Sequence, residues 1–223
     1  MLRLRSRRVL RRAIVPAAIA VVASAGASFA LGAYSELRPG TPAHPAGVRM
    51  HLTFGWQNLG EDVTTFKVWF PRGAVYNGGH FPSCSAATLD RRGPAGCPRG
   101  SIVGSGLGVA YASTTITKPR IVVVNGGANT VYFYTMLNNP ARVYEPIIGH
   151  LTRLHGDYTY VISSSIPNNL RVVAGVPINL TELDMTVGRG SWIALDGAPA
   201  GIKVQTGYIN GASQSYQIWV QND

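Results

Sequence analysis

Acidic residues are scarce in this 223-residue chain, ten in all, and cysteines scarcer still at two. A glycosidase needs a facing pair of carboxylates, so few positions remain to supply one. Two cysteines and the nearby His80 fall short of the four ligands of a closed zinc site. The histidines, His44, His51, His80, His150 and His155, are dispersed, and the last two, five apart, would point to opposite faces of a strand. No serine sits in a G-x-S-x-G elbow, so one sequence mark of a serine hydrolase is missing. The glycine-rich Asn125-Gly126-Gly127-Ala128-Asn129 lacks the Lys-Ser/Thr ending of a phosphate loop and reads as a turn. No cofactor and no metal is therefore expected. Beyond the N-terminus no segment shows a sustained 3.6-residue apolar period, so any helix there is short.

Charge is the next apparent abundance. Twenty Lys and Arg residues against ten acids give a net charge of +10. Six of the twenty, Arg3, Arg5, Arg7, Arg8, Arg11 and Arg12, crowd into the first twelve positions, leaving fourteen against ten elsewhere. The others, such as Arg49, Arg72, Arg120 and Arg153, are scattered. Nucleic-acid binding requires a basic stripe with base-reading or stacking groups. None is visible, so no nucleic-acid partner is expected.

The arginines instead open an export signal over residues 1–30. An uncharged stretch rich in Ala, Ile and Val follows them, with small residues offering cleavage after Ala25, Ala27 or Ala30. Ser6-Arg7-Arg8-Val9-Leu10 resembles a twin-arginine signal, but Arg11 stands where that motif prefers an apolar residue. The general secretory route is the better fit. Residues 13–33 carry no charge and are long enough to remain as an uncleaved anchor. Their Ala, Gly and Ser content favours removal, and no cysteine stands near the cleavage region for a lipid anchor.

Residues 31–47 end in a segment with three prolines, Pro39, Pro42 and Pro45, and read as an extended linker. Residues 48–223 then form a single domain rich in Val, Ile, Thr, Tyr, Gly and Asn, which favours strands and turns. Period-2 alternation appears at 48–54 and 64–70, and Val131, Phe133 and Thr135 alternate with Tyr132, Tyr134 and Met136. Asn125-Gly126 between apolar runs marks a hairpin. Further strands are expected at 104–113, 120–124, 146–154, 158–164, 170–176, 180–187, 191–195, 202–209 and 214–220. The fold class is all-β: an antiparallel β-sandwich or jelly-roll-like domain.

Candidate chemistry is sparse. His155-Gly156-Asp157 sets an imidazole near a carboxylate, although turn composition alone explains the Gly-Asp pair. Glu182 and Asp184 share one face of an expected strand. Asn179-Leu180-Thr181 matches a glycosylation acceptor pattern. The most distinctive stretch holds Cys84 and Cys97. In an exported chain two cysteines pair as one disulfide, and closing a loop of this size contributes on the order of 3 kcal/mol. Their spacing is not the C-x-x-C of a redox pair.

PSCSAATL at 82–89 and GPAGCPRGSIVGSG at 93–106 resemble a pattern, P-x-C-(x12)-C-P-x-x-S-x-V-G-x-G, in uncharacterised secreted β-rich proteins of high-GC Gram-positive bacteria. Phe70-Pro71-Arg72-Gly73 is similar to the strand end that precedes it, and Val124-Asn125-Gly126 and Ser191-Trp192-Ile193-Ala194-Leu195 are weaker echoes. The resemblance implies an exported β domain with a disulfide-bound loop and brings no catalytic residues.

Three functions compete. The leading one is a non-catalytic module of the cell envelope or extracellular space with a structural or binding role. The second is a carrier of a small apolar ligand between the sheets, suggested by Tyr132, Phe133, Tyr134, Tyr144, Tyr158, Tyr160 and Trp192. Aromatics also fill cores, so the carrier requires an apolar cavity, on the order of several hundred Å³. The third, a secreted hydrolase, requires a serine within hydrogen-bond reach of His155.

Overall fold

The computed structural model describes residues 34–37, 48–53, 62–188, 192–195 and 201–219, all within one compact unit spanning 31–223. The expected signal at 1–30, the anchor alternative at 13–33 and the proline-rich 38–47 lie outside the described residues.

The strands are β1 (Tyr34–Leu37), β2 (Val48–Thr53), β3 (Val63–Pro71), β4 (Ala74–Tyr76), β5 (Ile102–Ala112), β6 (Thr115–Thr117), β7 (Arg120–Asn125) and β8 (Thr130–Leu137). They continue as β9 (Val143–Arg153), β10 (Tyr158–Ser165), β11 (Val172–Val173), β12 (Val176–Val187), β13 (Ile193–Leu195), β14 (Gly201–Tyr208) and β15 (Ser213–Trp219). Two short helices interrupt them, α1 (Ala86–Arg92) and α2 (Asn168–Arg171). Every pairing is antiparallel, and the main sheet runs β1-β2-β12-β5-β7-β8-β9-β10-β3-β14-β15, with β6 and β11 as short additions. β4 and β13 pair separately.

The sheet folds back on itself. Leu183 and Met185 of β12 line the same interior space as Phe66 of β3, although five strands separate β12 from β3 in the sheet. Its two halves therefore face each other as the layers of an antiparallel sandwich around the main core. That core gathers Phe66, Val68 and Phe70, Val103, Val123, Val131 and Phe133, Ile162, Val187, Ile202 and Val204, together with Trp192. Burying one such large side chain contributes roughly 2–3 kcal/mol. Glycine helps β5 press against its neighbour. A Cβ on Gly104 would collide with the Thr186 carbonyl, and one on Gly108 would meet Pro119 Cγ at 2.9 Å.

β8 is buried on both faces. Val131 and Phe133 enter the main core, while Tyr132 and Tyr134 face a second cluster with Val124, Leu89 of α1 and Cys84. The alternation seen in the sequence thus separates two cores rather than a core from solvent.

Several elements differ from expectation. Tyr34–Leu37 falls inside the presumptive linker but pairs with β2; four residues are too few for their alternation to register. Residues 170–176 are not one strand: Leu170 and Arg171 close α2, and Val172–Val173 form a tight hairpin with β12. Its turn places Ala174 at φ 51° and Gly175 at φ 79°. The turn expected between the cysteines contains α1, whose N-cap is Ser85, with Oγ accepting from the Thr88 N–H at 3.2 Å. Gly93 at φ 61°, followed by Pro94, stops it.

Candidate functional site

Cys84 and Cys97 form the expected disulfide, with Cα atoms 5.3 Å apart. Its loop is tied to the sandwich through Asn125, the last residue of β7. The Asn125 side chain is fully buried and its Nδ2 donates to the carbonyls of Gly78 at 2.9 Å, Pro82 at 3.1 Å and Phe81 at 3.3 Å. Its Oδ1 accepts from Trp192 Nε1 at 2.8 Å and from the Gly127 N–H at 3.3 Å. The main chain joins in: the Cys84 N–H donates to the Asn125 carbonyl, and the Asn125 N–H to the Ser101 carbonyl. Trp192 packs edge-on against Tyr76, with centroids 5.0 Å apart, and Tyr76 donates its hydroxyl to the Gly127 carbonyl at 2.6 Å. Burial pushes the Tyr76 phenol up to about 12. Segments far apart in sequence, 76–84, 125–127 and 192, therefore share one network. It holds the loop, and both cysteine sulfurs are consumed by the bridge.

His155 and Asp157 stand exposed on the β9–β10 hairpin. The carbonyls of their turn accept from Arg72: the Asp157 carbonyl takes the Arg72 N–H at 2.9 Å, and the Gly156 carbonyl takes Nε at 3.2 Å. Among the described residues, neither the His155 nor the Asp157 side chain makes a hydrogen bond or ion pair, to a serine or anything else. Glu182 and Asp184 do share a face of β12, opposite Val109 and Leu107. Asp184 borders an open outer groove of about 440 Å³ with Arg120 and Met136. Thr181 of the glycosylation pattern donates its hydroxyl to the Val109 carbonyl, and Asn179 Oδ1 is buried. Among the described residues no group of three or more His, Cys, Asp or Glu gathers to hold a metal.

Between the layers, where the carrier reading looked for space, most of the lining residues are ones that sequence inspection missed. Two adjoining cavities of about 100 and 80 Å³ share Val63, Ile121, Ile147, Ile166 and Leu180 as lining. They are smaller than the several hundred Å³ required above of a carrier, so a bulky lipid does not fit. Their size is comparable to an apolar cavity of about 150 Å³ that stays dry and binds benzene. Aliphatic side chains make most of the wall, and Phe133 is the one member of the seven aromatics singled out above that touches it.

Local sequence builds one end of this space. After Ile166-Pro167, α2 turns Leu170 inward and leaves Arg171 beside the cavity. The Ala174-Gly175 turn then sends β12 back, bringing Ile178 and Leu180 to the wall. The register with β5 shifts between Leu180 and Glu182, a bulge that re-aims the strand. The polar lining is largely satisfied: Thr135 donates to the Phe133 carbonyl and Ser164 to the Phe66 carbonyl. Among the described residues, Arg171 is the only charged side chain lining the cavities. Its Nη2 donates to Asn168 Oδ1 at 3.0 Å, Nη1 lies 4.0 Å from Asp62 Oδ2, and Nε is buried without a partner among the described residues.

Neighbouring Glu145 lines a separate outer groove with Lys67 and His150. Burial holds its carboxyl above the ordinary range, aided by the charge of Asp90 and opposed by a hydrogen bond from Asn169. No helix of the described residues is long and apolar enough to cross a membrane. No protein-family model, curated protein or solved structure matches the chain.

Proposed function

We propose that this chain is an exported β-sandwich module that serves outside the cytoplasm in a structural or binding role rather than as a catalyst. The observation that carries the reading is the Cys84–Cys97 bridge and its attachment to the buried Asn125. Such a bridge persists in an oxidising compartment. The arginine-rich, then apolar, first thirty residues suit the same destination. So does the resemblance of 82–106 to secreted β-rich proteins of high-GC Gram-positive bacteria.

Fractionation of the producing cell tests this. The expected result is a mature chain beginning after Ala25, Ala27 or Ala30, outside the cytoplasm, with no titratable thiol. A cytoplasmic chain with both thiols free would overturn the proposal. The paired cavities fall short of the several hundred Å³ set for a carrier and support only a narrower second reading, a carrier of a ligand no larger than one short alkyl chain.

A further inference from the structure

We infer that the interlayer cavities receive the tail of a small single-chain carboxylate, with Arg171 binding the head. This inference rests on the carrier reading and names its ligand class. The wall supplies the first half of the recognition. Val63, Ile121, Ile147, Ile166 and Leu180 surround both compartments, and the hydroxyls beside them already have carbonyl partners. The space therefore offers nothing to a polar or branched polar ligand. Apolar surface entering it gains the transfer free energy without leaving a lining donor unpaired. The volumes admit one short alkyl chain and exclude a diacyl lipid.

Arg171 supplies the second half. A buried donor without a partner is uncommon in a folded protein and calls for a missing ligand or water. Here it is Nε–H of a guanidinium bordering an apolar cavity. The guanidinium is positioned by Asn168 and Asp62, and its long ion pair with Asp62 leaves N–H donors over for a ligand. Asn168 takes one Nη2 hydrogen, and Asp62 stands at 4.0 Å, the outer limit of an ion pair. A carboxylate can accept from the guanidinium edge that borders the cavity, whose fork geometry suits two contacts, with Nε reached after a local side-chain shift. An alcohol or amine of equal length offers less: the alcohol has no charge, and the amine meets a like charge. The preferred ligand class is thus a short single-chain fatty carboxylate.

The test compares hexanoate with hexan-1-ol on the full exported chain by calorimetry and ligand-observed NMR. Hexanoate is expected to bind at least tenfold more tightly than the alcohol. Arg171→Met should remove that preference, at least a tenfold loss for the acid, while leaving the alcohol nearly unchanged. Ala110→Leu, which enlarges a fully buried side chain on the cavity wall, should abolish binding of both. The comparison on the unmodified chain stands even if a variant does not fold. Equal binding of acid and alcohol would overturn the headgroup inference and leave the carrier reading intact. No binding of either would overturn both. Binding indifferent to Ala110→Leu in a folded variant would place the site elsewhere and overturn both assignments to this cavity.

Discussion

Trp192 donates its indole N–H to the side-chain carbonyl of Asn125 across 2.8 Å, although the two stand 67 positions apart in the chain. Both side chains are fully buried. The same asparagine satisfies three carbonyls of the segment leading into Cys84, so one amide fixes a hairpin, a disulfide loop and the strand-entry at Ile193 together.

Replacing that amide should be costly. Asn125→Asp removes the donor that serves Gly78, Phe81 and Pro82 and buries a charge against their carbonyls. Asn125→Ala leaves Trp192 Nε1 unpaired instead, and each stranded buried group costs about 1–3 kcal/mol. Urea unfolding should show a loss of about 3 kcal/mol or more for either variant. A loss within about 0.5 kcal/mol, the range of an ordinary surface change, would refute the hub.

The disulfide contributes on a different footing. Cys84→Ser combined with Cys97→Ser should lower stability by about 3 kcal/mol through the freed chain entropy of the unfolded state. The far-UV spectrum should keep its β character, because the sheet ladders do not depend on the bridge. Loss of that spectrum at low temperature would contradict the separation.

Tyr76 should titrate late. Its phenol is raised to about 12 by burial, whereas an unfolded tyrosine ionises near 10. The folded state binds its proton more tightly, so this contribution to stability is complete below pH 10 and fades as pH rises from about 10 to 12. Absorbance titration of phenolate should show a late component that Tyr76→Phe deletes. An unchanged curve in the variant would contradict it.

Glu145 runs in the same direction at lower pH. Burial raises its folded carboxyl above the ordinary range, so the neutral form is favoured and stability falls as pH rises through that raised value. Glu145→Gln should therefore raise the melting temperature at pH 7, with the advantage disappearing in acid. Asn169 can still donate to the new amide oxygen. A variant less stable than the parent at pH 7 would reverse the assignment.

The β11–β12 turn offers a stabilising change. Ala174 carries φ 51°, a left-handed geometry that disfavours a Cβ. Ala174→Gly or Ala174→Asn should gain about 0.5–1 kcal/mol, since a two-residue turn of this kind prefers those residues. Thermal unfolding reads the shift directly.

Local periodicity carried much of the fold. β8 is expected and found at 130–137, and Asn125-Gly126 does open the hairpin that joins it to β7. The expectation of export made the Cys84–Cys97 pairing legible without geometry. What stayed hidden depended on distant partners. Asn125 reads as a turn former, and nothing near it announces the carbonyls of Gly78, Phe81 and Pro82 or the indole of Trp192. Leu170, Val172, Val173 and Val176 read as a strand because β-branched residues dominate, yet Pro167 and the Ala174-Gly175 turn divide them between α2 and a hairpin. The Ser85 cap three residues before Thr88 was the available signal for α1. A cavity is missing volume between residues remote in sequence, and Arg171 looks like any other scattered arginine until its Nε is found buried.

β8 has no spare face, and this bears on what changes the chain can tolerate. In most half-exposed strands a one-residue slip trades core for solvent. Here it would drive Tyr132 and Tyr134 into the aliphatic interior and turn Val131 and Phe133 toward α1 and the disulfide. Both sides of the strand would be misfilled at once. Insertions or deletions in the 126–129 turn are thus doubly constrained, and length variation among descendants of this chain should fall at the β9–β10 and β14–β15 ends instead.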